Sequence, residues 1–385
     1  MKILFISMPS IHAIRWIENL KNTDFELYWF DVTNKGKLKV DFNLTQFIDW
    51  KKRKIPYLKG EYKFSKKFPN AYFKTKHLFE ITENEAVEKV LRTVNPDIIH
   101  CMELHYCTFP ILKTLKKFKN IPFIYSCWGS DFYNHLQIRK DVKKIKKVLE
   151  RVDFLITDCH RDYKYALDFN FKGNFLGVLP GGGGYRIEDL RNNFIPVSNR
   201  KLILIKGYEN QQARAINVLK AINLIINDLN NYEIIVFAQR QNVADYVKNY
   251  PSLNNKIKFI DEIPHSELLK LMGKALIYIG NSKSDGIANT LLEAMIMGAF
   301  PIQSNPGNVT MEVISNNENG LLINDEDNIS GIKDLIVAAL DDSFRLEDAA
   351  IKNYRIVSER CDYAFTQKII QNLYVRVVNQ STYSI

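Results

Sequence analysis

A chain of 385 residues, 46% apolar and 25% charged, has the composition of a folded soluble protein and the length of two ordinary domains. No apolar run approaches the roughly 20 residues that a membrane-crossing helix requires, and five scattered cysteines (Cys101, Cys107, Cys127, Cys159, Cys361) show neither a CxxC pair nor a zinc spacing. The net charge of +10 favours anionic partners without choosing among nucleotides, lipid headgroups and nucleic acid.

In chain order, Met1-Lys2-Ile3-Leu4-Phe5-Ile6-Ser7 has one basic residue and a short apolar run with no cleavage site behind it. This predicts a first strand, not a secretion signal, and a cytoplasmic protein. Apolar or β-branched runs at 2–6, 25–30, 97–101, 122–126 and 153–157 alternate with longer amphipathic stretches, the signature of βα units around a parallel sheet. A second series follows at 201–206, 233–238, 275–280 and 299–303, with a helical pattern at Ile216, Leu219, Ile222 and Ile226. Between the two lies Leu179-Pro180-Gly181-Gly182-Gly183-Gly184 and a polar stretch to Arg200, which predicts a flexible crossing. The expected organisation is a domain over 1–180, a linker over 181–199 and a domain over 200–361, both doubly wound α/β. Ligands bind at the carboxyl ends of such strands, so two facing sheets make a cleft for two substrates.

The most informative segment runs from Tyr278-Ile279-Gly280 through Ser284-Asp285-Gly286-Ile287-Ala288-Asn289-Thr290-Leu291-Leu292-Glu293-Ala294-Met295 to Gly298-Ala299-Phe300-Pro301. It reads as strand, polar loop, helix opening near Asn289 or Thr290 and closing at Gly298, then strand. Asp285 falls in the loop and Glu293 in the first helical turn, so both carboxylates can share a pocket with a helix N-terminus that attracts anions. Carboxylates accept hydrogen bonds from vicinal hydroxyls such as those of a ribose or a sugar.

This segment resembles the E-x7-E signature of family-four glycosyltransferases, and Ser304-Asn305-Pro306-Gly307-Asn308, Glu312-Val313-Ile314 and Asn319-Gly320-Leu321-Leu322 continue the same pattern. The resemblance implies a GT-B fold of two Rossmann-like domains facing a central cleft, with a C-terminal segment from about 362 to 385 returning to the first domain. It also implies a retaining transfer of a sugar from a nucleotide diphosphate. Glu293 would hold the ribose and Asp285 the transferred sugar, with Gly286, Ile287, Ala288 and Asn289 lining the donor pocket. Asp285 and Ile287 depart from the family's Glu and Phe, which implies a remodelled sugar pocket. The family's phosphate-binding Arg and Lys fall on Tyr208 and Ala213, so Lys206 and Arg214 are the candidate cations, beside Gly207. Phe259-Ile260-Asp261-Glu262-Ile263-Pro264-His265 resembles the loop under the nucleotide base, with Ile263 as the contact.

On the acceptor side, Met8-Pro9-Ser10-Ile11-His12-Ala13-Ile14-Arg15-Trp16 resembles a Ser-Ile-His-x-x-Arg-Trp branch of the family, which makes Ser10 and His12 candidates and leaves Arg15 and Trp16 as packing and ion-pair residues. Cys127-Trp128-Gly129-Ser130-Asp131 resembles the family's His-Gly-x-Asp loop. Trp128 in place of the His implies a 6-deoxy sugar, and Asp131 joins the candidate catalytic residues. His100 reads as core, while Glu103 and His105 are expected to edge the site. Residues 51–77 hold ten Lys or Arg against one acid, Glu61, interleaved with Tyr57, Tyr62, Phe64, Phe68, Tyr72 and Phe73. A second basic run lies at 139–147. Such runs suit an anionic bilayer surface, and no motif supports nucleic acid. The expected partners are a nucleotide-sugar donor, a glycan or polyprenyl-linked acceptor and a membrane surface. No cofactor or metal is expected, because no acidic DxD-type loop is present and cations would do a metal's work. Two rival readings share the architecture: a nucleotide-sugar epimerase, and an inactive relative recruited to membranes.

Overall fold

Runs that leave no polar face, such as Ile3-Leu4-Phe5-Ile6 and Ile203-Leu204-Ile205, are fully buried, as a parallel sheet covered by helices on both faces demands. The computed structural model describes residues 1–190, 195–261, 263–341 and 346–382. Its first sheet comprises β1 (Lys2–Ser7), β2 (Glu26–Asp31), β3 (Thr45–Phe47), β4 (Ile98–Met102), β5 (Phe123–Ser126), β6 (Phe154–Thr157) and β7 (Asn174–Val178), in the order β3-β2-β1-β4-β5-β6-β7. The second comprises β8 (Leu202–Lys206), β9 (Glu233–Phe237), β10 (Ile257–Ile260), β11 (Ala275–Gly280), β12 (Phe300–Ser304) and β13 (Leu321–Ile323), in the order β10-β9-β8-β11-β12-β13. All pairs are parallel. The strand order reverses beside β1 in one sheet and beside β8 in the other, so the loops after these strands stand where open α/β sheets bind ligands.

Every strand expected from the sequence is present, and β3, β7, β10 and β13 join them. Two of these four have only three residues, too few for a period to show. The glycine run differs from expectation in its physical role. Gly183 and Gly184 have φ of +69° and +94°, and a Cβ on Gly183 would lie 2.6 Å from the Arg15 carbonyl oxygen. Asn19 Nδ2 donates to the Gly183 carbonyl at 3.1 Å. The glycines thus make a tightly packed turn against the first helix, Ile11–Glu18, not a loose crossing.

The last helix, Tyr363–Thr382, lies on the first sheet, where Ile370, Leu373, Tyr374 and Val377 are buried with Phe5, Trp16, Ile98 and Ile124. A polar chain pins it there. Trp16 Nε1 donates to Tyr374 Oη at 2.8 Å, and His100 bonds Tyr374 Oη through Nδ1 and Ser126 Oγ through Nε2, both at 2.7 Å. Burial lowers the pKa of His100 to about 3 from an ordinary 6.5, because no charge can be solvated there.

Two outcomes follow for this helix. Tyr374→Phe leaves Trp16 Nε1 and His100 Nδ1 unpaired, so denaturant unfolding should show a loss of about 1–3 kcal/mol per orphaned group. As pH falls below 6.5 the unfolded His100 takes up a proton that the native one refuses until about pH 3, so stability is lost across that window by at most about 1.4 kcal/mol per pH unit. The stability difference between wild type and His100→Gln should be flat above pH 6.5 and shrink below it; an unchanging difference would show that native His100 takes up its proton as readily as the unfolded residue does.

Candidate active site

The helix Asn289–Ile296 begins where the loop after β11 ends, and its N-cap residue Ala288 makes no side-chain cap bond. Glu293 sits five residues in, one turn deeper than expected, and is 3% exposed. Its Oε1 accepts from His265 Nε2 at 2.7 Å and lies 3.7 Å from Arg15 Nη1. His265 opens the helix that follows the loop holding Ile263, so the base-loop candidate and the ribose candidate meet. Glu262, quoted in that loop, lies outside the described residues, as does the side chain of Phe73. Asp285 is partly buried and accepts from the Gly286 amide at 3.0 Å. Ile287 and Ala288 are buried behind it.

Lys206 ends β8 and faces the same carboxylates. Burial disfavours its charge, but the oxygens of Tyr278, Asp285, Tyr208 and Glu293 outweigh that and raise its pKa. Tyr208, 37% exposed, lies between two cations, with Lys206 Nζ 5.1 Å and Arg240 Cζ 5.0 Å from its ring centre. Gly207 is required by packing, because a Cβ there would approach Val236 Cγ1 to 2.6 Å. Arg214 does not join this group: its guanidinium donates to the Asn210 and Ala213 carbonyls and pairs with Asp327 at 3.4 Å.

The first domain closes over these residues. Ser10 Oγ caps the first helix by accepting from the Ala13 amide at 3.1 Å, so its hydroxyl is already engaged. His12 Nδ1 lies 3.3 Å from Asn289 Nδ2 of the second domain, and its ring meets the Trp128 indole edge-on at 5.6 Å. Burial and the neighbouring Arg15 lower the His12 pKa, opposed by Glu293 and Asp285. Gly129 touches Gly286 so closely that a Cβ on either would overlap the other's backbone. Ser130 is exposed beside them.

Three acceptor-side candidates have structural places instead. Asp131 is 2% exposed and accepts from Tyr125 Oη at 2.5 Å and the Trp128 amide at 3.0 Å, which holds the loop from inside. Glu103 has φ of +72° and accepts from the amides of His105, Tyr106 and Cys107 at 2.7, 2.7 and 2.9 Å, capping the turn that follows β4. His105 bonds the Asp131 carbonyl at 2.9 Å and stacks on His135. In each the polar bonds described hold a turn of the first domain in shape.

Three residues at the seam were not singled out by sequence. Asp158, just after β6, is half-buried beside Gly129 and Gly286, and its buried Oδ1 has no partner among the described residues. Burial, then the charge of Asp162, raises its pKa to about 7. Arg161 donates to Asp162 Oδ1, to the Gly129 carbonyl and, across the seam, to the Pro306 carbonyl, each at 2.8 Å. Glu312 of the second domain accepts from the His160 and Arg161 amides, both at 2.9 Å, and so caps the helix His160–Asp168 of the first. Position after a strand could have flagged Asp158. Nothing local marks Glu312 as the cap of a helix 150 residues away. The space beside Trp128, Asp158 and Gly181 measures about 10 Å³, too little for a sugar. Among the described residues, two groups have a spacing a cation could use: His105, His135 and Asp141, and Asp158, Cys159 and Asp162. Lys144 on Asp141 and Arg161 on Asp162 already bring positive charge to each.

Comparison with known proteins agrees with this architecture. A family model described as glycosyl transferase 4-like matches residues 2–158, and one described as glycosyl transferases group 1 matches residues 187–356. A curated relative from Campylobacter jejuni, an undecaprenol-linked-glycan α-1,4-N-acetyl-D-galactosaminyltransferase, is 22% identical over 203 residues, 52% of this chain and 49% of its own length. The chain thus matches about half of that relative. A sucrose-phosphate synthase from Thermosynechococcus elongatus superposes with a TM-score of 0.73 at 15% identity, covering 99% of this chain and 100% of that one. Anabaena HepE, solved with UDP and glucose, gives 0.65 at 14% identity over 97% and 99% of the two chains. A Rickettsia africae glycosyltransferase gives 0.67 at 15% identity, with 98% of each chain covered. The two family models lie one on each sheet, and with the fold they make this chain a GT-B glycosyltransferase of the family-four-like kind.

Proposed function

We propose that the chain moves a sugar from a nucleoside diphosphate to a hydroxyl of a glycan or lipid-linked acceptor at a membrane surface, with retention at the anomeric carbon. The observation that carries this reading is the convergence of Glu293, Asp285 and Lys206 at the mouth of one helix, opposite His12 and Trp128 of the other domain. Glu293 would exchange His265 for the ribose hydroxyls, Ile263 would support the base, and Asp285 would take hydroxyls of the sugar. The bond from the anomeric carbon to the β-phosphate oxygen breaks with its electron pair going to the phosphate, and Lys206 stabilises the charge that develops there. The acceptor oxygen bonds to the anomeric carbon on the face the phosphate leaves, and its proton passes to that phosphate. UDP and glucose in HepE, and the undecaprenol-linked substrate named for the Campylobacter relative, support testing uridine donors and lipid-linked acceptors first.

The segment over 51–77 supports the membrane part. Glu61, its one acid, is turned inward. It accepts from Arg53 at 2.8 and 2.9 Å, from Tyr72 Oη at 2.7 Å and from the Leu58 amide at 3.0 Å, and Arg53 first among these lowers its pKa to about 2. Lys59, Lys63, Lys66, Lys67 and Lys74 are left exposed among Tyr57, Tyr62, Phe64 and Phe68. No helix among the described residues is long and apolar enough to cross a membrane.

Glu293→Gln should weaken nucleoside diphosphate binding by roughly 1.5–3 kcal/mol in calorimetry, because the ribose loses a charged acceptor; unchanged affinity would remove Glu293 from the donor site. Lys206→Ala should lower turnover more than it lowers nucleotide affinity, since the charge it meets grows in the transition state, and full activity in that variant would end its assignment. Binding to anionic vesicles should fall with salt and with Lys63→Gln, Lys66→Gln and Lys67→Gln combined; vesicle binding indifferent to both would make the segment plain solvated surface.

A further inference from the structure

Arg15 has been described so far only as a charge near Glu293, yet its surroundings are unusual for an arginine. It lies on the helix Ile11–Glu18, directly behind the loop after β1, and its side chain is only 20% exposed. A guanidinium carries five donors and cannot shed its charge, so burial normally obliges carbonyls or carboxylates to receive it. Arg151 shows the ordinary solution, giving bonds to the carbonyls of Leu115, Phe118 and Ile121 and to Asp153. Arg15 donates no hydrogen bond to any described residue, and its one charge partner is Glu293 at 3.7 Å. A guanidinium four-fifths covered, with one carboxylate 3.7 Å away as its charge partner, keeps donors free for a ligand.

Its direction says what kind of ligand. A Cβ placed on Gly182 would stand 3.4 Å from Asn289 Oδ1 and 3.9 Å from Arg15 Nη1, so the guanidinium and the first residue of the helix Asn289–Ile296 both border Gly182. Helix N-termini and arginine both favour anionic oxygens. The ammonium of Lys206, the second-domain cation that feels both carboxylates, likewise donates no hydrogen bond to a described residue. Arg214 is committed to Asn210, Ala213 and Asp327, and Arg240 is exposed on the outer side of Tyr208. A diphosphate ionised on both phosphorus atoms exceeds the charge of one lysine.

We propose that Arg15 is the second diphosphate-binding cation of the donor site, supplied across the cleft by the first domain. The proposal rests on the nucleotide-sugar reading above. In the donor-free protein Arg15 neutralises Glu293; with donor bound, the ribose takes Glu293 and the diphosphate takes Arg15. Since Arg15 and Glu293 belong to different domains, the same exchange ties diphosphate binding to domain position.

The test is calorimetry of wild type, Arg15→Ala, Arg15→Lys and Arg240→Ala with UDP, GDP, dTDP and ADP, each paired with its nucleoside. For whichever diphosphate wild type binds, Arg15→Ala should lose tenfold or more in affinity while the paired nucleoside changes less than twofold. Arg15→Lys should keep most of the affinity, and Arg240→Ala should lose less than Arg15→Ala. Equal losses for diphosphate and nucleoside would overturn the proposal, because Arg15 would then act only by shaping the pocket around Glu293; so would no loss at all. Wild type that binds none of the four diphosphates would instead overturn the nucleotide-sugar reading, and this proposal with it.

Discussion

A carboxylate closed off from water needs partners, and the Glu293 side chain, 4% exposed, draws its partners from three separate elements. His265 comes from the helix after β10 and Arg15 from the first helix of the other domain, while Lys206 at the end of β8 adds a longer-range attraction. None of them is near Glu293 in sequence. Charge burial is expensive enough that it decides which loops converge. Here it brings the start of a helix, the floor of the base loop and the opposing domain to one point. The parallel sheets do the rest, by placing every connecting loop that could contribute on the same side.

The seam around that point is held mostly by bonds to backbone. Arg161 reads two carbonyls, one on each domain, and Glu312 caps a helix that belongs to its neighbour. Each such bond is worth only about 0.5–1.5 kcal/mol net, because water replaces it when the domains part. The glycine contact between positions 129 and 286 adds closeness and little cohesion. Asp158 works in the opposite direction. Burial and the charge of Asp162 raise its pKa to about 7, so ionising it as the pH rises weakens the seam. An interface of this kind is held by many small terms and weakened by one carboxylate oxygen without a partner.

These features were unevenly legible in the sequence. Strands and the Asp285-to-Glu293 loop and helix could be read because local patterning suffices for both: apolar runs of five or six residues, and a loop, helix and glycine stop in sequence. Asp131 and Glu103 were ambiguous because an acid after a strand serves equally well as a substrate contact or as the acceptor of a turn's amides, and only the fold shows Tyr125 or the 105–107 amides in place. Arg214 misled for a related reason, since one residue's displacement at the start of a helix turns a side chain by about 100°, here toward Asp327. Arg15 could not be valued from its neighbours in the chain at all. Its meaning lies in bonds it does not make, a property that appears only when both domains are in view.

The division of contacts between domains bears on how such a site would choose its sugar. Glu293, Lys206 and Ile263 all belong to the second domain, so on the proposed reading the base, the ribose and one diphosphate contact can be engaged before Arg15 reaches the donor from the first domain. The sugar would lie between Asp285 on that side and His12 with Trp128 on the other, whose rings pack edge-on and therefore move together. Trp128 is partly buried at the seam and offers an apolar face where a hydroxyl would find no acceptor. Discrimination by that face is exerted only on closure, when Gly129 reaches Gly286. Sugars that differ by one hydroxyl would then bind with similar affinity through their shared nucleotide and separate in the step that leads to transfer. Binding energy spent in this way raises selectivity in turnover without tightening the ground-state complex.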